Sequence, residues 1–178
     1  MAAIPNTPKV PLESYLARFV EGGEKPTCEY IDGELVPKPM PSKDHSRVQM
    51  NIGFSIRRDF AERFTVLPEL TVRLRETRFL VPDLAVEDLS NPIEARYPGP
   101  RQPVFLCVEV KSPDDRLGRL FSKCEDYHAW GVPYTWVIDP ERKIAWEYTP
   151  ADAEPRRAEE ALGAGPIRVG LADVFRGV

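Results

Sequence analysis

Long hydrophobic runs are absent from this sequence. A helix that crosses a bilayer needs about 20 consecutive apolar residues, and no stretch approaches that length. Residues 1–20 also lack a basic segment followed by an apolar one, because prolines and charges interrupt them: Pro5, Pro8, Lys9, Pro11 and Glu13. We therefore expect no membrane span, no secretory signal and a cytoplasmic location.

Cysteine is scarce and scattered. The three cysteines are Cys28, Cys107 and Cys124, and they form neither a CxxC pair nor a cluster with histidine. An odd number of widely spaced cysteines argues against a disulfide framework and against a structural zinc site. We expect them to be small buried hydrophobic side chains.

An excess of positive charge is also missing, since the net charge is −4. Affinity for nucleic acid would therefore require a local basic patch or bridging metal ions. Arginines crowd the middle of the chain: Arg57, Arg58, Arg63, Arg73, Arg75 and Arg78. Acidic residues are interleaved with them, which favours a salt-bridged surface over a phosphate-binding patch.

What remains is the composition of an ordinary globular protein, with 42% hydrophobic and 29% charged residues in a chain of 178. That length fits one domain spanning residues 1–178. Within it we expect a flexible N-terminus over residues 1–10. We also expect an exposed, linker-like segment over residues 150–165, which is rich in Ala, Pro, Glu and Arg.

The first part of the chain predicts helices around a hairpin. Residues 11–20 carry apolar side chains at helical spacing. Two short β-rich runs within 28–36 surround Asp32-Gly33, a dipeptide typical of tight hairpin turns. From Ser42, a candidate N-cap, to about residue 64, apolar residues recur every four positions. This periodicity predicts the longest helix.

The second part of the chain alternates strands and helices. Residues 66–86 predict two strands around a turn at Glu76-Thr77, with Asp83 on the second strand. Residues 104–111 form a nearly continuous apolar run, typical of a strand buried on both faces, and a helix follows as far as Gly131. Further strands are expected at 133–138, 143–148 and near 167–169. The order predicts an α/β (α+β) fold with a mixed sheet.

Two charged residues interrupt the apolar strand. Glu109 and Lys111 are two positions apart, so both side chains should lie on one face of the strand. A buried carboxylate needs a cation, and the candidates are Lys111 or a bound metal. A structural Glu–Lys pair at a strand end is the alternative interpretation.

Asp83 is a second acid in an apolar, strand-like run. Pro82 before it places the region at a sheet edge, a bulge or a strand start. Together with Glu109 and a backbone carbonyl, Asp83 would supply the oxygen ligands that Mg²⁺ prefers, and Lys111 would orient the attacking water. Taken alone, Asp83 is equally compatible with a turn or capping acid.

These motifs carry a resemblance to a known family. Pro82-Asp83 followed by Glu109-Val110-Lys111 resembles the PD-(D/E)XK nuclease superfamily. More narrowly, the sequence resembles the Uma-two family of restriction endonuclease-like proteins over about residues 12–149. The matching stretches are YIDGELV at 30–36, PSKDH at 41–45, VPDL at 81–84, VEVKSP at 108–113, Lys123 to Tyr127, and GVPY at 131–134.

The resemblance implies a restriction-endonuclease-like core, with a central mixed sheet of four or five strands flanked by helices. It implies a Mg²⁺ or Mn²⁺ ion bound by Asp83, Glu109 and the Val110 carbonyl. Glu34 matches the family's early acid and would be a further metal or water ligand, although an exposed hairpin acid is the alternative. His45 matches a position near the site, where it would contact phosphate or relay a proton, unless it is a surface residue.

Lys123 and Tyr127 are four residues apart on one helix and would face the same groove as nucleic-acid-binding residues, unless Tyr127 only packs. The resulting hypothesis is a metal-dependent endonuclease that hydrolyses phosphodiester bonds, with DNA as the expected partner. A non-catalytic nucleic-acid or protein interaction module with the same fold is the alternative. Cleavage of both strands of a duplex needs two sites, which favours a homodimer. The sequence contains no coiled-coil or other assembly signature that would specify one.

Overall fold

The structure is a computed structural model, and it describes residues 9–25, 27–94 and 98–178. Most of the expected flexible N-terminus, residues 1–8, lies outside the described residues. The three cysteines are buried thiols, as expected.

Four helical segments occur in the described residues. Helix α1 spans Leu12–Tyr15 and continues as a π-helical segment over Leu16–Glu21. Helix α2 spans Lys43–Phe60, α3 spans Leu117–Trp130, and α4 spans Leu171–Val174. Within the described ranges, no helix combines the length and the apolar character needed to span a bilayer.

The described residues contain twelve strands. In chain order they are β1 Cys28–Ile31, β2 Glu34–Pro37, β3 Phe64–Pro68, β4 Val72–Arg75, β5 Arg78–Leu80, β6 Leu84–Asp88, β7 Leu106–Val110, β8 Tyr134–Asp139, β9 Ile144–Tyr148, β10 Arg156–Arg157, β11 Ala161–Ala164 and β12 Ile167–Gly170.

A mixed six-stranded sheet forms the centre, in the order β10-β9-β8-β7-β6-β3. Strands β7 and β8 are parallel, and the other neighbours are antiparallel. A four-stranded antiparallel sheet, β2-β1-β5-β4, and the hairpin β11-β12 complete the architecture. The predicted mixed sheet flanked by helices is confirmed, with six strands rather than four or five because β3 and β10 extend its edges.

Helices cover both faces of the large sheet. Val48, Ile52 and Ile56 of α2 pack with Val108 and other residues of β6 to β8 in one apolar cluster. On the opposite face, Tyr127 of α3 belongs to a second cluster that includes Cys107 of β7 and residues of β4 and β5, and its neighbours on α3 pack with β8 and β9. Alternate β7 side chains therefore enter different layers, and each large apolar side chain contributes roughly 1.5–3 kcal/mol through burial.

Two local structures predicted from the sequence, a hairpin turn and a helix N-cap, are confirmed. Asp32 and Gly33 have φ angles of +53° and +94° and close the β1-β2 hairpin. The Ser42 side chain accepts a hydrogen bond from the His45 backbone N–H at 3.1 Å, which caps α2.

The run from residue 66 to residue 86 is not two strands. It contains parts of β3 to β6, which belong to two different sheets. The turn at Glu76-Thr77 is confirmed between β4 and β5. Asp83, however, lies just before β6 rather than on a strand, because Pro82 lacks an N–H and cannot continue a strand ladder.

The segment 150–165 is largely exposed up to residue 160, as its composition predicts, but it is not a linker. It contains β10, which pairs with β9, and β11, which pairs with β12. Leu162 and Ala164 are fully buried, and the Trp136 indole N–H donates to the Gly163 carbonyl at 3.0 Å. Small residues that look like a flexible linker in the sequence here allow a hairpin to pack closely on the sheet.

Candidate active site

A cavity of about 400 Å³ opens where the central sheet, the small sheet and helices α2 and α3 meet. Charged and titratable side chains dominate its lining: Lys25, Glu29, Lys38, His45, Glu69, Asp83, Glu109, Asp115, Arg119 and Lys123. Both acids of the predicted metal site, Asp83 and Glu109, line this one cavity together with Val110.

Asp83 is held at the end of the β6-β7 ladder and is 2% exposed. The β6-β7 ladder ends at the pair Leu84 and Val108. Two residues further along β7, the Val110 N–H donates to Asp83 Oδ2 at 2.7 Å. Lys38 Nζ lies 2.8 Å from Asp83 Oδ1. The Asp83 carboxylate thus accepts from a strand N–H in place of a backbone carbonyl, and it links β7 to Lys38.

The environment of Asp83 favours its charged form. Burial raises the pKa of this carboxyl, but the hydrogen bond from His45 and the positive charge of Lys38 outweigh burial and hold the pKa well below its usual range. His45 Nε2 lies 3.5 Å from Asp83 Oδ1. Asp83 is therefore ionised across the physiological pH range.

Glu109 is equally buried, at 2% exposure, but its partners and the direction of its pKa shift differ from those of Asp83. Lys123 Nζ lies 2.7 Å from Glu109 Oε1, and the Tyr127 hydroxyl donates to the same oxygen at 2.7 Å. Burial raises the pKa of Glu109, and the charge of Lys123 opposes this rise while Asp83 and Glu29 add to it. Any positive charge that enters the cavity would therefore favour the carboxylate form of Glu109.

Lys38 is a site residue that sequence reasoning missed. It follows β2 in a proline-rich segment, and its ammonium also reaches the Val81 carbonyl at 2.9 Å and Glu69 at 3.4 Å. Pro37 and Pro39 restrict the backbone on both sides of Lys38. A lysine between two prolines is, by itself, no sequence signal for a buried ion pair.

Glu29 is the second missed residue. It lies on β1, is buried, and accepts from the Val81 N–H at 3.1 Å, while Lys123 Nζ lies 2.7 Å away. Arg119 is within 3.8 Å of its other oxygen. The available signal was an acid inside an apolar strand, which is the same anomaly that drew attention to Glu109.

The structure brings His45 to the cavity. Its Nδ1 is 3.1 Å from the Ser112 hydroxyl, and the ring is buried rather than on the surface. The contact with Ser112, on one side, and with Asp83, on the other, ties the start of α2 to the ends of β6 and β7. This geometry sets the orientation of the Asp83 carboxylate.

Lys111 is not brought to the cavity. Its ammonium lies 3.7 Å from Glu141 Oε2, in the turn after β8, and Lys111 is outside the cavity lining. Its backbone N–H still donates to Ile138 at 2.8 Å, so the ladder to β8 continues through this position. The expectation that Glu109 and Lys111 face one site is therefore not met.

Glu34 is also outside the cavity lining. It is exposed on β2, beside the Gly33 turn, and its register partner is Ile31. Glu29, paired with Val36, is two register positions nearer to the cavity end of the hairpin. The early acid at this cavity is therefore Glu29 and not Glu34.

Lys123 and Tyr127 do project from α3 toward the same place, but Tyr127 is fully buried. A ring without exposed surface cannot stack on or contact a nucleic acid, so the expected binding role of Tyr127 is corrected to support of Glu109. Lys123 keeps 7% exposure and lines the cavity.

The cavity groups acids with cations. Three buried acids, Glu29, Asp83 and Glu109, contact Lys38 and Lys123, and Arg119 lies 3.8 Å from Glu29. The carboxylate oxygens of Asp83 and Glu109 are of the kind that a hard divalent cation prefers. In the part of the chain that the structure describes, no three His, Cys, Asp or Glu side chains converge as a complete metal cage. A cation here would complete its shell with water or substrate oxygens.

Comparison with solved structures relates this fold to known ones. The chain is similar to the crystal structure of a "putative nuclease belonging to DUF820" from Anabaena variabilis ATCC 29413, with a TM-score of 0.73 and 23% identity, over 85% of this chain and 91% of that chain. A cryo-EM structure of a DrdV–DNA complex matches at a TM-score of 0.35 and 15% identity, over 72% of this chain and 12% of that one. No curated protein matches.

The likeness to the Anabaena variabilis structure shows the fold. The family comparison reaches further, because the model of the Uma2 family, described as "Putative restriction endonuclease", matches residues 12–171. That match spans most of the chain and confirms the resemblance found in its motifs. The chain belongs to the Uma2 family.

Proposed function

We propose that this protein is a metal-dependent endonuclease that hydrolyses phosphodiester bonds in DNA. The observation that carries the proposal is the meeting of two buried acids, Asp83 just before β6 and Glu109 on the neighbouring strand β7, at one cavity beside Val110. The choice of DNA follows the description of the family as a restriction endonuclease.

Asp83, Glu109 and the Val110 carbonyl would hold Mg²⁺ or Mn²⁺. When bound there, the ion supplies positive charge that acidifies water and polarises a phosphate oxygen. Asp83 is suited to this task because it is ionised already, and its Val110 hydrogen bond fixes its direction. Glu109 is oriented by the Tyr127 hydroxyl, which spares it from rotating when a ligand enters.

Basic side chains at the cavity complement a phosphate. Lys25 and Arg119 are exposed and line the opening, while Lys38 and Lys123 lie deeper. Exposed cations attract the nucleic-acid backbone, and the buried ones preserve charge balance beside the acids. Lys25 and Arg119 therefore offer a phosphate two exposed cations, in a lining that also contains Glu69 and Asp115.

The test is cleavage by the purified protein of plasmid, single-stranded DNA and RNA with Mg²⁺ or Mn²⁺. We expect cleavage of DNA, and we expect Asp83→Asn and Glu109→Gln each to lower the rate at least about 100-fold. Glu76→Gln, at an exposed turn, is the matched control and should retain the wild-type rate. Cleavage that persists in both cavity variants would contradict the proposal.

Calorimetric titration with Mg²⁺ separates the enzyme from a non-catalytic binding module. Metal binding that Glu109→Gln abolishes supports the enzyme. Oligonucleotide binding that is insensitive both to Mg²⁺ and to this substitution, together with an absence of cleavage, identifies the module instead.

A further inference from the structure

One edge of the central sheet has no partner strand within the described residues. Strand β3, Phe64–Pro68, is the last strand in the order β10-β9-β8-β7-β6-β3, and it pairs with β6 on its inner side. All five residues of β3 run in unbroken register with β6. A regular edge of this kind presents a row of free backbone groups to another strand.

The backbone groups of Val66 point away from β6. In an antiparallel pair, residues that exchange hydrogen bonds alternate with residues that do not. The Leu89 N–H donates to the Arg63 carbonyl at 2.7 Å, and the Glu69 N–H donates to the Asp83 carbonyl at 3.2 Å. The odd-numbered residues of this segment therefore bond to β6, and the N–H and carbonyl of Val66 are directed to the open edge.

Two other sheet edges carry features that oppose pairing. Strand β10, at the opposite edge of the central sheet, has two residues, Arg156 and Arg157, and both are exposed. Strand β4, at one edge of the small sheet, has a register irregularity between Arg73 and Arg75, and its Arg73 N–H donates to the Pro100 carbonyl at 3.4 Å. Short, charged, bulged or covered edges resist association. Strand β3 is longer and regular, with a single proline at its end.

The residues that flank β3 are complementary to themselves. The side chains of Arg63 and Glu69 are 53% and 47% exposed, and within the chain they contact Asp88 at 2.7 Å and Lys38 at 3.4 Å. In an antiparallel pair of two β3 strands with Val66 opposite Val66, Arg63 would lie opposite Glu69 of the partner subunit, because both are three residues from Val66. Opposite charges across a strand pair stabilise it.

A glycine of α2 lies over the same point of the strand. A Cβ added to Gly53 would meet Val66 Cγ1 at 3.7 Å, which is an ordinary contact. The packing of this chain therefore does not require glycine there, although glycine is unfavourable within a helix. Met50, three residues earlier on the same side of α2, is 71% exposed. A glycine beside an exposed apolar side chain permits the close approach of a second helix.

We propose that β3 pairs antiparallel with β3 of a second copy of this chain, around a two-fold axis at Val66, and so forms a homodimer. The pairing joins the two six-stranded sheets edge to edge. A two-fold axis normal to the sheet keeps both α2 helices on one face, where they approach each other at Gly53. The contact is the same on both copies and closes on itself, so association stops at the dimer.

The test is the mass of the purified protein by sedimentation velocity over a dilution series, with a chelator present and without DNA. We expect a wild-type dimer that dissociates on dilution. Val66→Pro removes an N–H that is not bonded to β6 and should raise the dissociation constant at least about tenfold. Arg63→Glu should also weaken the dimer, and the double variant Arg63→Glu/Glu69→Arg should restore it.

Arg156→Glu, on the opposite edge of the same sheet, is the matched control, because Arg156 is also exposed and contacts an acid, Asp152, at 3.2 Å. It should change the dissociation constant by less than about threefold. Circular dichroism and thermal unfolding establish that each variant is folded.

Hydrogen exchange followed by NMR tests the wild type without any substitution. The Val66 amide should be protected at high protein concentration and should lose that protection on dilution. The Thr65 amide, which faces β6, is the internal control and should stay protected at both concentrations. Where Val66→Pro fails to fold, this comparison and the charge variants decide the outcome.

A wild type that remains monomeric up to about 1 mM overturns the inference. So does a dimer that a folded Val66→Pro leaves unchanged, a folded double variant that does not regain association, or a loss in Arg156→Glu as large as that in Arg63→Glu. Because neither metal nor nucleic acid is present, these outcomes are independent of the proposed endonuclease activity.

Discussion

At the residue scale, the cavity pairs one strongly acidic carboxyl with one weakly acidic carboxyl. Asp83 accepts from Val110 and contacts Lys38 and His45, whereas Glu109 contacts Lys123 and Tyr127 and lies near two other acids, Asp83 and Glu29. The two groups therefore make opposite contributions to stability as pH changes. Hydrogen-bond partners, rather than burial, distinguish them, because both are almost fully covered.

Asp83→Asn should lower the free energy of unfolding by about 2 kcal/mol at neutral pH, because Lys38 loses its charged partner. The pKa of Asp83 is lower in the folded chain than in the unfolded chain, so its contribution is full above about pH 4 and is lost as the pH falls further. The difference from wild type should therefore shrink in acid. Urea unfolding from about pH 7 to about pH 2, with a chelator present, measures it.

Asp114→Asn, at an exposed position, is the control and should show no such pH-dependent difference. Glu109→Gln should show the opposite trend to Asp83→Asn, because the pKa of Glu109 is raised in the folded chain and its ionisation costs stability as the pH rises. A destabilisation by Asp83→Asn that is constant down to the acid limit would contradict the assigned ion pair.

At the element scale, each helix that lines the cavity is fixed at one end by a local signal. Ser42 caps α2 and so sets the position of His45, and Gly131 ends α3 with a φ angle of +113°. A Cβ on Gly131 would lie 2.9 Å from Pro103 Cγ. The left-handed backbone and this close approach together require glycine there.

Gly131→Ala should therefore lower the free energy of unfolding by about 1–3 kcal/mol, from backbone strain and the clash with Pro103. The comparison is Gly118→Ala, within α3, where a Cβ meets nothing within 4 Å. That change should stabilise by up to about 1 kcal/mol, since alanine favours the helix. Equal effects of the two substitutions in denaturant unfolding would refute the role given to Gly131.

At the scale of the whole molecule, the C-terminal hairpin completes the core on the α2 face. Leu162 and Val169 are buried with Trp136 of the central sheet and with residues of α2. The hairpin is therefore an integral layer, in contrast to the linker that its composition predicted. Folding of the sheet and folding of the hairpin should be coupled.

Leu162→Ala should destabilise the whole fold by about 2–5 kcal/mol, the range for large-to-small changes in a core. Unfolding should remain a single transition when it is followed by tryptophan fluorescence and by circular dichroism. Glu160→Ala, exposed on the same segment, is the control and should change stability little. An early, separate transition in Leu162→Ala would show that the hairpin is an independent unit.

Several features could be predicted from the sequence because they depend on neighbours along the chain. The Asp32-Gly33 turn, the Ser42 cap and the end of α3 at Gly131 are local backbone preferences. The doubly buried strand β7 was visible in its apolar run, and the anomalous acid at 109 was visible inside it. The family, too, was apparent from short motifs and is confirmed.

Only the tertiary structure decided which charges meet. Glu29, Lys38 and Lys123 come from β1, a proline-rich segment and α3, and no spacing along the chain relates them. Lys111 is two residues from Glu109 and yet its ammonium is paired elsewhere. Sequence periodicity determines which face of an element is buried, whereas the partner of a buried charge depends on how separate elements pack, because ion pairs form through space and not along the backbone.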